Sequence, residues 1–365
     1  MKVSLPQKSS QLSDDELTLH LIASGLVKFV QDIENGAPPR LPYPAALQRG
    51  LNRLVSVCLR QGAIPPASIS DLFQWCHQPL VDWPLNIPVE AVKPKDTLLY
   101  DHLPTEICDE WAVEGSDIAA HINEQAFFSS FYSVCRAEND ANTYVAFRRL
   151  LIERLVLTAF ELQKERLNLL LLSDQLATAY QPAPIAHSID TIYRCCAHCN
   201  GLLLQTIQGS LVCENERCRR LGRRPEKERK ISADEDVFWL KRELRRFISM
   251  PGLAELRLEQ KLLKQGLRVE LWPAFDRYDL RVVFPDDDAW AIDVKDWANP
   301  FLLGRSVEPI PQEPAWSEAY FVFPDERGQQ RADYARAFNS YCEHTTGLLE
   351  REFLQMVKAK LRRLS

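Results

Sequence analysis

The stretch from Pro251 to Trp297 leaves this chain the fewest ways to fold. In PGLAELRLEQKLLKQG, Leu253, Leu256 and Leu263 recur at helical spacing. LRVELWP then reads as a strand, and YDLRVVF and AWAIDVK read as two more joined by the turn PDDDA. Alternate residues of a strand share a face, so Asp293 and Lys295 point together. The turn folds that strand back beside Asp279 and brings in a second carboxylate. Two carboxylates and an ammonium at a sheet edge can hold a divalent cation on oxygen and turn water against a phosphodiester. A lone acid-x-lysine element says little. Here it lies among Trp290, Ala291, Ile292 and Val294, and charges in so apolar a strand must be paired or bind metal. Two exposed strands with ordinary surface charge would need no such setting.

With 365 residues the chain has room for two or three domains. Its apolar and charged fractions are those of a globular protein, and its net charge of −6 is mild. A nucleic-acid surface, if present, is therefore local. No apolar run is long enough to span a membrane, and MKVSLPQKSSQLSDDE has no apolar core of a signal peptide. A cytoplasmic chain is expected, and its ten cysteines then suggest metal or free thiols before disulfides.

From residue 1 to 182 the pattern predicts an all-α domain. Ser13 and Glu16 have capping-box spacing at the start of a helix that breaks at Gly36 and the PPRLPYP run. AALQRGLNRLVSVCLRQG predicts a second helix ending at Gly62, and SISDLFQWCHQPL a third. Ala141 to Tyr180 reads as one long central helix, with leucines on more than one stripe. This half carries no nucleophile or phosphate-loop pattern, and its expected role is docking onto a partner or onto nucleic acid.

Residues 190–231 read as a zinc ribbon with a basic segment. Cys196-x-x-Cys199 and Cys213-x4-Cys218 flank the short hairpin LLLQTIQGSLV, and four thiolates at that spacing fit tetrahedral zinc. So small a hairpin cannot bury enough core without the metal. Cys195 and His198 are alternatives of lower rank. RCRRLGRRPEKERK then concentrates arginine and lysine, and Arg219, Arg220, Arg223 and Arg224 are the candidates for phosphate contact, against the plainer reading of a solvated linker. Residues 232–365 form the third predicted domain. It opens on a helix capped by Ser232 and Glu235 through VFWLKRELRRFISM, and contains the stretch above. It continues through a proline-rich loop to the strand EAYFVFPDE, and ends in two helices, QQRADYARAFNSYC and TTGLLEREFLQMVKAKLRRL.

This domain resembles the PD-(D/E)XK superfamily, the α/β fold of many restriction endonucleases. In the family pattern Asp279 is the first acid and Asp293-Val294-Lys295 the acid-x-lysine element; Tyr278 stands where the family has proline. The helix glutamate is Glu255 or Glu259, with Glu255 favoured for its distance from Gly266. The order of helical region, four-cysteine ribbon and nuclease is similar to the restriction-endonuclease-like proteins of bacterial pPIWI-RE three-gene islands. That likeness rests on Pro251-Gly252-Leu253, Trp272-Pro273, Tyr278-Asp279-Leu280 and Asp293-Val294-Lys295-Asp296. The resemblance implies an endonuclease that hydrolyses DNA with Mg2+ or Mn2+ in defence against foreign DNA, beside a PIWI-like protein and a helicase. Asp279 and Asp293 would ligate the metal, Lys295 would orient the attacking water, and Glu255 would hold a second metal or its water shell. The alternative is a non-catalytic subunit that binds DNA or protein through the ribbon.

Overall fold

The structure, a computed structural model, describes residues 13–34, 42–114 and 118–364. The opening residues inspected for a leader, and Gly36 with the first half of the proline run, lie outside the described residues. Backbone contacts divide the chain into two compact units, 1–118 and 119–365.

The first unit is helical, as its apolar periodicity predicts. Helix Asp14–Glu34 opens on the capping box: the Ser13 N–H donates to Glu16 Oε2 at 2.8 Å and the Glu16 N–H to Ser13 Oγ at 3.2 Å. Helix Ala45–Gln61 crosses it closely, because Gly25 lacks the Cβ that would meet the Leu47 backbone at 2.4 Å. That helix stops at Gly62, whose φ of 70° a glycine adopts without strain. Helix Ile69–Cys76 starts at Ser68, whose hydroxyl accepts from the Asp71 N–H, and helix Glu106–Glu114 follows a two-stranded hairpin.

The second unit is built round a five-stranded sheet in chain order: Arg268–Leu271, Leu280–Val283, Ala289–Val294, Glu318–Phe323 and Thr346–Leu349. The first three strands are antiparallel and the last two join in parallel. The helix Met250–Leu263 precedes the sheet where the leucine spacing puts it. The hairpin turn closes through Phe284 N–H to Asp288 O at 2.8 Å, with Asp287 at φ 62°.

Four expectations are corrected. The single helix from Ala141 to Tyr180 ends at Glu153, and the chain then forms the strand Val156–Thr158, the helices Ala159–Asn168 and Ser173–Ala179, and the strand Tyr180–Pro182. Thr158 is the reason for the restart: it caps the new helix in a box with Glu161. The segment VFWL is a strand and not the start of a helix, because it pairs on both edges, with Val156–Thr158 and with Tyr180–Pro182. A short apolar run has no period of its own, and its partners decide. Thr346–Leu349 is the fifth strand, where Gly347 leaves room for Phe323 and Phe338 within 2.6 Å of a Cβ position. The proline-rich loop includes a helix, Pro300–Ser306, capped by Asn299. The ribbon is inserted between two strands of the three-stranded sheet and lies within the second unit.

Candidate functional site

Strand pairing places the acids. Leu280 is opposite Ile292, so the same antiparallel register, one residue further, sets Asp279 opposite Asp293 on one face. Asp279 is buried; its Oδ2 accepts from the Val294 N–H at 2.6 Å, and its carbonyl accepts from the Trp272 N–H at 2.8 Å. Lys295 Nζ lies 2.7 Å from Asp293 Oδ1, and the Lys295 N–H donates to Val322 O in the neighbouring strand. Asp296 fixes the chain beyond: buried Arg327 donates Nε to its Oδ1 at 2.6 Å and Nη2 to its carbonyl at 2.8 Å.

Two glutamates of the helix Met250–Leu263 separate in role. Glu255 is 2% exposed, and its Oε2 accepts from Trp272 Nε1 at 2.5 Å and from Arg148 Nη2 at 3.2 Å. Glu259 is one turn further, bound to Arg149 Nη2 at 2.9 and 3.0 Å. Arg148 also meets Asp276 in an ion pair and reaches Asp279 Oδ1 at 3.8 Å. Its guanidinium stacks on Trp272, 4.5 Å from the ring centroid. Trp272, Ala274, Phe275 and Asp276 all have φ between 46° and 69°. Left-handed residues other than glycine cost about 1–2 kcal/mol each, so this WPAFD turn is a strained segment held by its contacts.

The charges are under pressure. Burial, then the carboxylates of Glu255 and Asp293, hold Asp279 well above the usual carboxylate range. Burial also raises Glu255, against the pull of Arg148. Burial opposes the Lys295 ammonium, but Asp293 and Asp279 outweigh it and its pKa is raised. Hard carboxylate oxygens and a surplus of negative charge fit a magnesium-like cation. Glu255 does not close on the two aspartates as a third ligand. Among the described residues, only the four cysteines form a group of three or more ligand atoms within 4.8 Å of one another.

Those cysteines are Cys196, Cys199, Cys213 and Cys218, all buried. Cys199 and Cys213 sulfurs are 3.5 Å apart, close to the ~3.8 Å that tetrahedral zinc with 2.3 Å bonds requires. The hairpin Leu203–Gln205 and Leu211–Cys213 carries one knuckle to the other. The cluster can hold a metal ion. Cys195 belongs to the strand Ile192–Cys195 and His198 bonds to Gly222 O, so neither joins it.

The basic segment is largely committed to its own acids. Arg219 donates to the carbonyls of Cys213 and Glu214 at 2.8 Å, and Arg223 forms a two-pronged pair with buried Glu228. Arg220 pairs loosely with Glu216 at 3.4 Å and is exposed, as is Arg224.

Sequence reasoning missed Arg148, Asp276 and the anchoring part of Trp272. Arg148 lies 107 residues before Glu255, beyond the reach of any local spacing. The run W-P-A-F-D was visible, but its left-handed backbone has no glycine or asparagine to announce it.

In comparison with known proteins, residues 252–365 match a family model described as "REase associating with pPIWI_RE", and residues 18–158 match one described as "pPIWI_RE three-gene island domain Y". No curated protein and no solved structure gives a match. The REase match contains every acid and the lysine of the site, and the domain Y match contains Arg148 and Arg149. Both stretches thus resemble pPIWI_RE-linked families, residues 252–365 the associated REase and residues 18–158 domain Y of the three-gene islands.

Proposed function

We propose that the protein is a metal-dependent endonuclease that hydrolyses DNA phosphodiester bonds in prokaryotic defence against foreign DNA, acting with the PIWI-like protein of its island and a helicase. The observation that carries this is the facing pair Asp279 and Asp293 with Lys295 on the same sheet face, inside the segment matched to the REase family. Asp279 and Asp293 would hold Mg2+ or Mn2+, which supplies Lewis acidity at the scissile phosphate. Lys295, held by Asp293, is placed to orient the attacking water and to meet developing negative charge. Glu255 rather than Glu259 is the helix acid of the site, since its charge is felt at Asp279. Zinc at the four cysteines has a structural part, because four thiolates leave no open position.

The test is cleavage of labelled single-stranded, duplex and RNA–DNA hybrid substrates by wild type and Asp293→Ala, with Mg2+ or Mn2+ and with none added, in the presence of the island's PIWI-like protein and helicase. Metal-dependent cutting by wild type and none by Asp293→Ala is the expected result. Equal cutting by both would refute the site.

A further inference from the structure

We infer that Arg148 is a positioning residue that makes this a one-ion site: its guanidinium occupies the place beside Glu255, and supplies the charge, that a second divalent cation would otherwise provide. The inference rests on the nuclease reading and adds the stoichiometry of its metal.

Arg148 projects from the helix Ala141–Glu153, far in sequence from the sheet, yet its side chain is almost wholly enclosed. It meets three carboxylates, Glu255, Asp276 and Asp279. Both Glu255 oxygens lie within 3.3 Å of its Nη2, and Oε2 is taken by Trp272 as well. Glu255 is therefore already satisfied by the protein and faces a fixed cation in place of a metal. The cradle is built: Trp272 stacks on the guanidinium, Phe275 packs edge-on against Tyr144 at 5.8 Å, and the strained turn delivers Trp272 and Asp276 together. Such packing leaves the guanidinium little freedom to withdraw when metal arrives.

The charge count agrees. With all four carboxyls ionised, as a bound cation would hold them, Glu255, Asp276, Asp279 and Asp293 face Arg148 and Lys295, which leaves a deficit of two charges. One divalent ion between Asp279 and Asp293 balances that deficit, and a second would overshoot it in a buried setting where excess charge is costly. Without Arg148 the deficit rises to three, which invites a second ion.

Mn2+ titrated into the full-length, zinc-loaded protein and counted by electron paramagnetic resonance reads this directly, since zinc is silent. Wild type should bind one Mn2+ per chain, and Asp293→Ala should lose it. Arg148→Lys should keep one ion. Arg148→Gln should take up a second ion or hold the first at least about ten-fold more tightly, as expected from loss of a neighbouring positive charge. Zinc content and circular dichroism establish that each variant is folded; should Arg148→Gln fail to fold, the counts for wild type and Arg148→Lys decide. Two Mn2+ ions on wild type would overturn the one-ion inference and leave the nuclease reading standing. A folded Arg148→Gln with one ion at unchanged affinity would overturn it too. No Mn2+ on wild type would bring down both readings.

Discussion

Asp279 is buried beside two other carboxylates, and the backbone N–H that its carboxyl accepts from, that of Val294, would be served as well by an amide oxygen. The folded state therefore holds its proton more firmly than the unfolded chain does. For a raised carboxyl the sign is unfavourable: stability is greatest below the unfolded value near 4 and falls as pH rises toward the folded one. At neutral pH without divalent metal, Asp279→Asn should accordingly be more stable than wild type. A gain of about 1 kcal/mol corresponds to about 2–4 °C in Tm for a unit of this size. Added Mg2+ should raise Tm for wild type and not for the variant. Thermal melts in chelator-free buffer, which spares the ribbon, check both; a lower Tm for Asp279→Asn with no Mg2+ effect on wild type would show a purely structural aspartate. The glutamates give a second contrast at this scale. Glu255→Gln should cut cleavage by about 10²-fold, since small misplacements at a reacting centre cost that much. Glu259→Ala breaks only the pair between buried Glu259 and partly exposed Arg149, away from the aspartates, and should leave the rate within a few-fold.

The ribbon is the element on which the site helix leans. Its cysteines and Leu203 form a small core against which Leu253 packs, two residues before Glu255. Half-buried Glu214, next to Cys213, pairs with buried Arg245 at 2.8 Å, and Arg245 lies over Trp239 at 3.5 Å from the ring centroid. Structural zinc contributes on the order of 10–16 kcal/mol to modules this small. Cys213→Ser should therefore release zinc and increase hydrogen exchange in the helix Met250–Leu263, beyond the ribbon itself. Zinc retention by that variant would point to a different ligand set. The basic segment divides by what its arginines already hold. Arg219 and Arg223 brace the ribbon from within, so reversing them should cost stability. Arg220→Glu with Arg224→Glu should leave the fold intact, weaken DNA binding alike for all sequences and flatten its salt dependence. An unchanged salt slope in that double variant would make the segment a solvated linker.

At the scale of the whole molecule, what could be read from sequence was whatever is encoded locally. The helix Met250–Leu263, the strands on either side of the aspartate turn and the two cysteine knuckles all lie within a few turns of chain, where periods of 3.6 and 2 and ligand spacing speak directly. What could not be read was pairing at a distance. The VFWL strand depends on two partners that both lie before the inserted ribbon, and Arg148 depends on a fold that brings the helix Ala141–Glu153 against the helix Met250–Leu263 and the turn at Asp276. Those long-range contacts bear on where the REase-matched segment can be cut from the rest. Gly252, where the REase match begins, faces Ile152: a Cβ there would meet its Cδ1 at 2.4 Å. The Ser249 hydroxyl donates to Leu151 O at 2.7 Å, and Val237–Leu240 loses both neighbours if the chain starts at residue 232. Such a fragment would also leave Glu255 and Asp279 without Arg148, and a buried pair broken on one side typically costs about 3–5 kcal/mol. A fragment of residues 232–365 is therefore expected to be expanded and prone to aggregate, while residues 119–365 should fold with zinc bound. Size-exclusion chromatography, near-ultraviolet circular dichroism and zinc analysis of the two fragments distinguish them. A compact, monomeric 232–365 fragment that binds Mn2+ with wild-type affinity would show that the helix Ala141–Glu153 is dispensable to the site.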